Sequence, residues 1–81
     1  MTYGIIFEKI AEPGFEGQYY AHIPALGLTT QGIGLAGARI AAEDLVIGWL
    51  EELRADGEPV PVNGEVLFST LDIPENALHV A

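Results

Sequence analysis

The chain has 81 residues, of which 49% are hydrophobic and 19% are charged, a composition that supports one small folded domain rather than a disordered tail. Twelve Asp and Glu stand against three Lys and Arg, and the formal net charge of −9 argues against nucleic acid or an anionic membrane as a direct partner and favours a basic protein. Cysteine is absent, which excludes disulfides, thiolate zinc sites and a cysteine nucleophile.

The sequence shows no signal for a membrane or for export. No apolar run approaches the ~18 residues that a bilayer span needs, and the first residues lack the positive region and cleavage site of a signal peptide. We therefore expect a cytoplasmic protein that forms a single domain over residues 1–81, with no separate DNA-binding domain. Because a core of this size is marginal for a lone domain, we also expect a homo-oligomer, either a dimer or a tetramer.

The first part of the chain predicts three antiparallel strands. Three runs alternate between two faces and are rich in aromatic and β-branched residues, namely residues 3–10, 18–23 and 28–31. A Pro-Gly turn at residues 12–17 separates the first two runs, Pro24 ends the second, and Gly32 closes the third. Links as short as these connect antiparallel neighbours.

The spacing of apolar residues predicts one long helix over residues 35–54. At 100° per residue, one stripe wide enough to cover a sheet contains six residues, Ala38, Ala42, Leu45, Val46, Trp49 and Leu53. Gly57 can adopt the left-handed conformation that ends a helix, and Pro59 and Pro61 prevent its continuation.

A fourth strand is predicted over residues 65–73, where alternation resumes, and residues 77–81 can add a short edge strand. The order β-β-β-α-β predicts an α+β fold, an antiparallel sheet with one helix packed on one face. The other sheet face keeps Ile, Tyr or Leu side chains in either register, and such an uncovered face is typical of a subunit or partner interface.

The two histidines and the carboxylates form no recognisable catalytic or metal-binding pattern, so we expect neither an enzyme nor a bound cofactor or metal. His22 lies on a predicted strand, where a half-buried ring bonded to a neighbour is the simplest interpretation. A pH-sensitive interface is the alternative.

Residues 32–37 read Gly-Ile-Gly-Leu-Ala-Gly, which is the G-x-G-x-x-G pattern of a dinucleotide-binding loop. That loop belongs to a parallel βαβ unit in a doubly wound sheet, for which this chain is too short, and no lysine lies nearby to hold phosphate. We interpret the glycines as a helix entry that needs tight backbone geometry.

The helix carries a candidate docking strip opposite its core stripe. Ile40 and Ile47 lie one above the other at i and i+7, and acidic residues flank them, namely Glu43, Asp44 and Glu51. Two exposed apolar residues with an acidic rim fit a basic, partly apolar partner, unless a second copy of the chain covers them. Tyr20 and His22 on the second strand complete the candidate partner-binding residues.

A series of short motifs in a characteristic order covers residues 2–73. Its members are Gly17-Gln18-Tyr19-Tyr20-Ala21-His22-Ile23-Pro24-Ala25-Leu26-Gly27, Gln31-Gly32, Ala38, Glu43, Leu50-Glu51-Glu52-Leu53, Asp56-Gly57-Glu58-Pro59 and Pro61. The series resembles the HicB-like antitoxins, the small acidic partners of HicA toxins. Leu28 replaces the usual cysteine, and Gly34 and Gly37 replace the residues of a helix capping box. Without that cap, we expect the first turn of the helix either to be held in place by packing or to fray.

The resemblance implies a partial ribonuclease-H-like fold without ribonuclease activity. It further implies the antitoxin of a type II toxin–antitoxin pair, which covers a small, basic, RNA-cleaving toxin, or an orphan relative that has lost its toxin. The alternative hypothesis is a self-associating small domain that binds a small ligand at a subunit interface, with Tyr20 and His22 as polar groups.

Overall fold

Three short strands form an antiparallel sheet in the order β1-β2-β3. The computed structural model describes residues 1–62, 64 and 66–77, and its strands are β1 (Ile6–Lys9), β2 (Gln18–Ile23) and β3 (Leu28–Ile33). The bounds of β2 agree with the prediction, whereas β1 begins later than predicted. The third strand is longer than predicted because it continues through Gly32, which pairs with Tyr19, to Ile33, which pairs with Gln18.

The register determines which residues share a face of the sheet. Ala21 lies between Phe7 and Thr30, and the next row along β2 places His22 between Ile6 and Thr29. Successive residues of a strand point to opposite faces, so these two rows lie on opposite sides.

The helix α1 (Gly34–Ala55) packs on β2 and β3, and the predicted α+β arrangement of a sheet with one helix on one face is confirmed. Of the predicted stripe, Ala38 and Ala42 are buried, and the other four residues are half-buried. The buried cluster consists of Ala21, Ile23, Leu26, Ala38 and Ala42. The alanines bring the helix close to the sheet, and Tyr3, Ile5, Phe7, Tyr19, Leu28, Val46 and Trp49 pack around the cluster.

The start of α1 is held by backbone contacts instead of a side-chain cap. Gly34 has a φ of +68° and donates its N–H to the carbonyl of Gly17, with an N···O distance of 2.7 Å. A Cβ placed on Gly32 would lie 2.5 Å from the carbonyl carbon of Gly37, which shows that strand and helix backbones touch here. The interpretation of these glycines as a tight helix entry is confirmed.

The predicted fourth strand is wrong for the residues that the structure describes. Residues 66–73 carry no regular secondary structure and are exposed throughout, so the described order is β-β-β-α. The alternating pattern supplies only the propensity for a strand, whereas a strand also needs a hydrogen-bonded neighbour. Residue 65 and the edge strand predicted at the C-terminus, apart from Ala77, lie outside the described residues.

Candidate partner-binding surfaces

The predicted partner-binding residues lie on two opposite sides of the molecule. The helix covers the sheet face that bears Ala21 and Ile23, so Tyr20 and His22 point from β2 to the open face. The remaining five belong to α1 and form what we call the outer helix patch, which consists of Ile40, Glu43, Asp44, Ile47 and Glu51. The structure therefore brings the helix residues together and separates them from Tyr20 and His22.

The outer helix patch combines apolar anchors with free carboxylates. Ile40 is 60% exposed and Ile47 is 56% exposed, and the two lie about 10 Å apart along the helix axis at a rise of ~1.5 Å per residue. The three acidic side chains of the patch are exposed. Within the described part of the chain, no Lys or Arg forms a salt bridge with these carboxylates.

A groove of about 200 Å³ lies beside the outer helix patch, between α1 and the residues that lead into β1. Its wall is largely apolar and consists of Tyr3, Ile5, Ile23, Arg39, Ala42, Glu43, Val46 and Ile47. Glu43 and Ile47 belong to both features, so patch and groove are continuous. Sequence reasoning missed the groove, although the shared strand face of Tyr3 and Ile5 was a signal that these residues pack against the helix.

Arg39 is the one cation in the wall of this groove. Its guanidinium carbon lies 5.8 Å from the centroid of the Phe7 ring, within the range of a cation–π contact. Arg39 thus contacts the sheet and forms no salt bridge with Glu43, which lies one turn further along the helix.

The open sheet face carries a polar cluster centred on His22. Its Nδ1 lies 3.0 Å from the hydroxyl of Thr29, and its Nε2 lies 2.9 Å from a carboxylate oxygen of Glu8. The Tyr20 ring lies 5.8 Å from the imidazole between centroids. The interpretation of His22 as a half-buried ring bonded to its neighbours is confirmed. Because both ring nitrogens have partners, a ligand would have to displace one of them.

No group of three or more metal-ligating side chains converges among the residues described. Within the same residues, no helix combines the length and hydrophobicity that a bilayer crossing requires.

Comparison of the chain with protein-family models, curated proteins and solved structures gives no match. The resemblance to HicB-like antitoxins consequently rests on the sequence motifs alone and stays a prediction.

Proposed function

We propose that this chain is an acidic protein-binding module of the HicB-like kind, which neutralises a small, basic, RNA-cleaving toxin in the cytoplasm or descends from a module that did so. It acts by binding rather than by catalysis. The observation that supports this proposal best is the outer helix patch, where two exposed isoleucines lie among three exposed carboxylates that form no salt bridge with a described Lys or Arg.

The proposed binding begins with electrostatic attraction. A net charge of −9 accelerates the encounter with a basic protein and orients it toward exposed carboxylates. A protein that binds and cleaves RNA commonly presents Lys or Arg side chains to the phosphate backbone. Glu43, Asp44 and Glu51 would pair with those same side chains, so that antitoxin and RNA compete for one surface.

The isoleucines contribute to the affinity by hydrophobic burial, which the charges alone cannot provide. Salt screens exposed ion pairs, which contribute little once formed. Ile40 and Ile47 stand in the centre of the carboxylates and can enter an apolar pocket of the partner. Burying them removes water from the surrounding ion pairs and slows dissociation. We expect an interface of ordinary size, ~1,600 Å² in total.

The first test compares two variants of equal charge. One variant, Glu43→Gln with Asp44→Asn and Glu51→Gln, removes the carboxylates of the patch. The control, Glu12→Gln with Glu58→Gln and Glu75→Gln, removes three exposed carboxylates from other parts of the surface. A small basic protein captured from native lysate at low salt is purified, and its affinity for each variant and its RNA cleavage are measured.

We expect the patch variant to bind at least tenfold more weakly than the control and to leave RNA cleavage uninhibited. Binding to the unaltered chain should weaken as salt rises. The proposal is contradicted if no basic protein is retained at low salt, or if the captured protein is not inhibited. If Tyr20→Ala abolishes binding and the patch variant does not, the function stands and the binding face is the open sheet.

A further inference from the structure

The segment formed by residues 66–73, here called the C-terminal segment, exposes an unusual amount of apolar surface. Its large apolar side chains are between 36% and 84% exposed, namely Val66, Leu67, Phe68, Leu71 and Ile73. Single exposed apolar residues are ordinary, but five within eight consecutive residues form a patch of the kind that marks an interaction site. Four of the five are more than half exposed.

The sheet has an edge, with a groove nearby, that could accept such a segment. Among the described residues β1 pairs with β2 alone, so Ile6–Lys9 forms an edge of the described sheet. An open edge strand accepts a further strand through its backbone N–H and C=O groups. The groove lies between α1 and residues 3–5, where the chain enters this edge strand, and it has no occupant among the described residues.

We propose that the C-terminal segment of one copy adds to the β1 edge of a second copy, fills the groove there, and receives the partner's segment in return. Alternation divides the segment into two rows. Leu67, Leu71 and Ile73 form the row without a charged residue, and this row enters the groove. Val66 and Phe68 belong to the row that includes Asp72, and this row extends the open sheet face.

The extended dimensions of the molecule favour a second copy over the segment's own domain. The hydroxyl of Tyr3 donates a hydrogen bond to the carbonyl of Pro61, which fixes the chain beside the residues that lead into β1. The molecule measures 52 × 28 × 23 Å, and its radius of gyration of 16.4 Å exceeds the ~12 Å of a compact domain of this length.

Reciprocal exchange also satisfies the symmetry of a dimer. Each copy contains one donor segment and one acceptor groove, so a two-fold axis pairs both at once and leaves no open end for further growth. The exchange is independent of the proposed toxin. The groove shares Glu43 and Ile47 with the outer helix patch, so a bound segment would lie beside the face offered to the partner.

The test uses three variants whose altered side chains are all exposed, so that each can fold. Leu67→Asp with Leu71→Asp inactivates the donor segment, and Ile47→Arg obstructs the acceptor groove. Ile40→Asp is the control, because Ile40 lies on the outer helix patch but not in the groove. Molar mass is measured by light scattering over a range of protein concentrations, and circular dichroism verifies the fold.

We expect a dimer for the unaltered chain and for the control, and a monomer for the donor-defective and groove-defective chains alone. Mixing the two defective chains should restore a heterodimer, because one intact donor then meets one intact acceptor. The proposal is overturned by an unaltered chain that is monomeric at every concentration, by a donor-defective chain that still dimerises, or by a mixture that stays monomeric.

The dependence on salt separates this proposal from the proposed function. Each copy carries a charge of −9, so the two copies repel, and added salt should strengthen the dimer. The binding of a basic partner should weaken under the same change. A chain that dimerises but captures no basic protein would contradict the antitoxin proposal alone. A monomeric chain that captures a basic protein would contradict only the proposed exchange of C-terminal segments.

Discussion

Residues 18–23 and residues 66–73 have the same kind of sequence and different structures. In both segments the side chains can be divided between two faces of a strand, and both segments are rich in β-branched or aromatic residues. The first segment lies between two strands and contributes Ala21 and Ile23 to the core. The second has no hydrogen-bonded neighbour within the described residues and leaves its apolar side chains exposed. Alternation thus indicates a segment that can form a strand, and a neighbour with a free edge decides whether it does.

Among these substitutions, Gly32→Ala should have the largest effect on the stability of the sheet and α1. The new Cβ would lie 2.5 Å from the carbonyl carbon and oxygen of Gly37, and backbone atoms cannot move aside as a flexible side chain can. We expect a loss of ~1–3 kcal/mol in the free energy of unfolding, the range seen for overpacked cores. Urea denaturation measures it.

Gly48→Ala is the matched control for that variant. Gly48 lies inside α1, and a Cβ there meets no atom within 4 Å. Alanine should stabilise the helix by up to ~1 kcal/mol, because it restricts the unfolded chain and favours helix. Equal effects of the two substitutions would show that the close approach of Gly32 and Gly37 is unimportant for stability.

A smaller effect is expected for the polar cluster on the open sheet face. His22→Ala removes the ring that links β1 to β3 through Glu8 and Thr29. Because the side chains of His22 and Glu8 are 33% and 63% exposed, water replaces much of what is lost, and we expect a cost of ~0.5–1 kcal/mol. Thermal unfolding near neutral pH provides the measurement. A loss above ~2 kcal/mol would mean that this cluster, rather than the helix face, organises the sheet.

The smallest effect concerns the turn before β2. The backbone N–H groups of Glu16 itself and of Gly14 lower the pKa of the Glu16 carboxyl below its ordinary value of 4.5. A lowered pKa in the folded state means that the ionised carboxylate stabilises the fold. This contribution is fully present above pH ~5 and is lost as the pH falls through the folded pKa. The stability difference between the unaltered chain and Glu16→Gln should therefore shrink on acidification, and a difference constant from pH 7 to pH 3 would contradict this origin.

The three strands and α1 could largely be predicted from the sequence, because the residues that mark their ends and their buried faces act locally. Pro24 and Gly57 mark where an element ends, and the apolar stripe of α1 repeats often enough to identify the buried face. The groove and the separation of the binding residues were not predictable in this way. They depend on which sheet face the helix covers and on how the residues before β1 pack against it, and both are tertiary contacts.

The pairing of the C-terminal segment was the hardest feature to predict, because it too depends on tertiary contacts. Its sequence favours a strand, but no local signal states whether the neighbouring strand belongs to the same copy or to another. The exposed edge of β1 and the exposed side chains of Leu67 and Leu71 become meaningful only when both are seen in one structure.

The most direct test of this account is amide hydrogen exchange in residues 66–73 of the full chain, measured across protein concentrations. If the segment forms a strand only against a second copy, its amides should exchange rapidly in dilute solution and become protected as the dimer forms. The amides of β2 should be protected throughout and serve as the internal reference. Protection of the segment at every concentration would mean that it pairs within its own copy, and the absence of protection at every concentration would mean that it pairs with no copy.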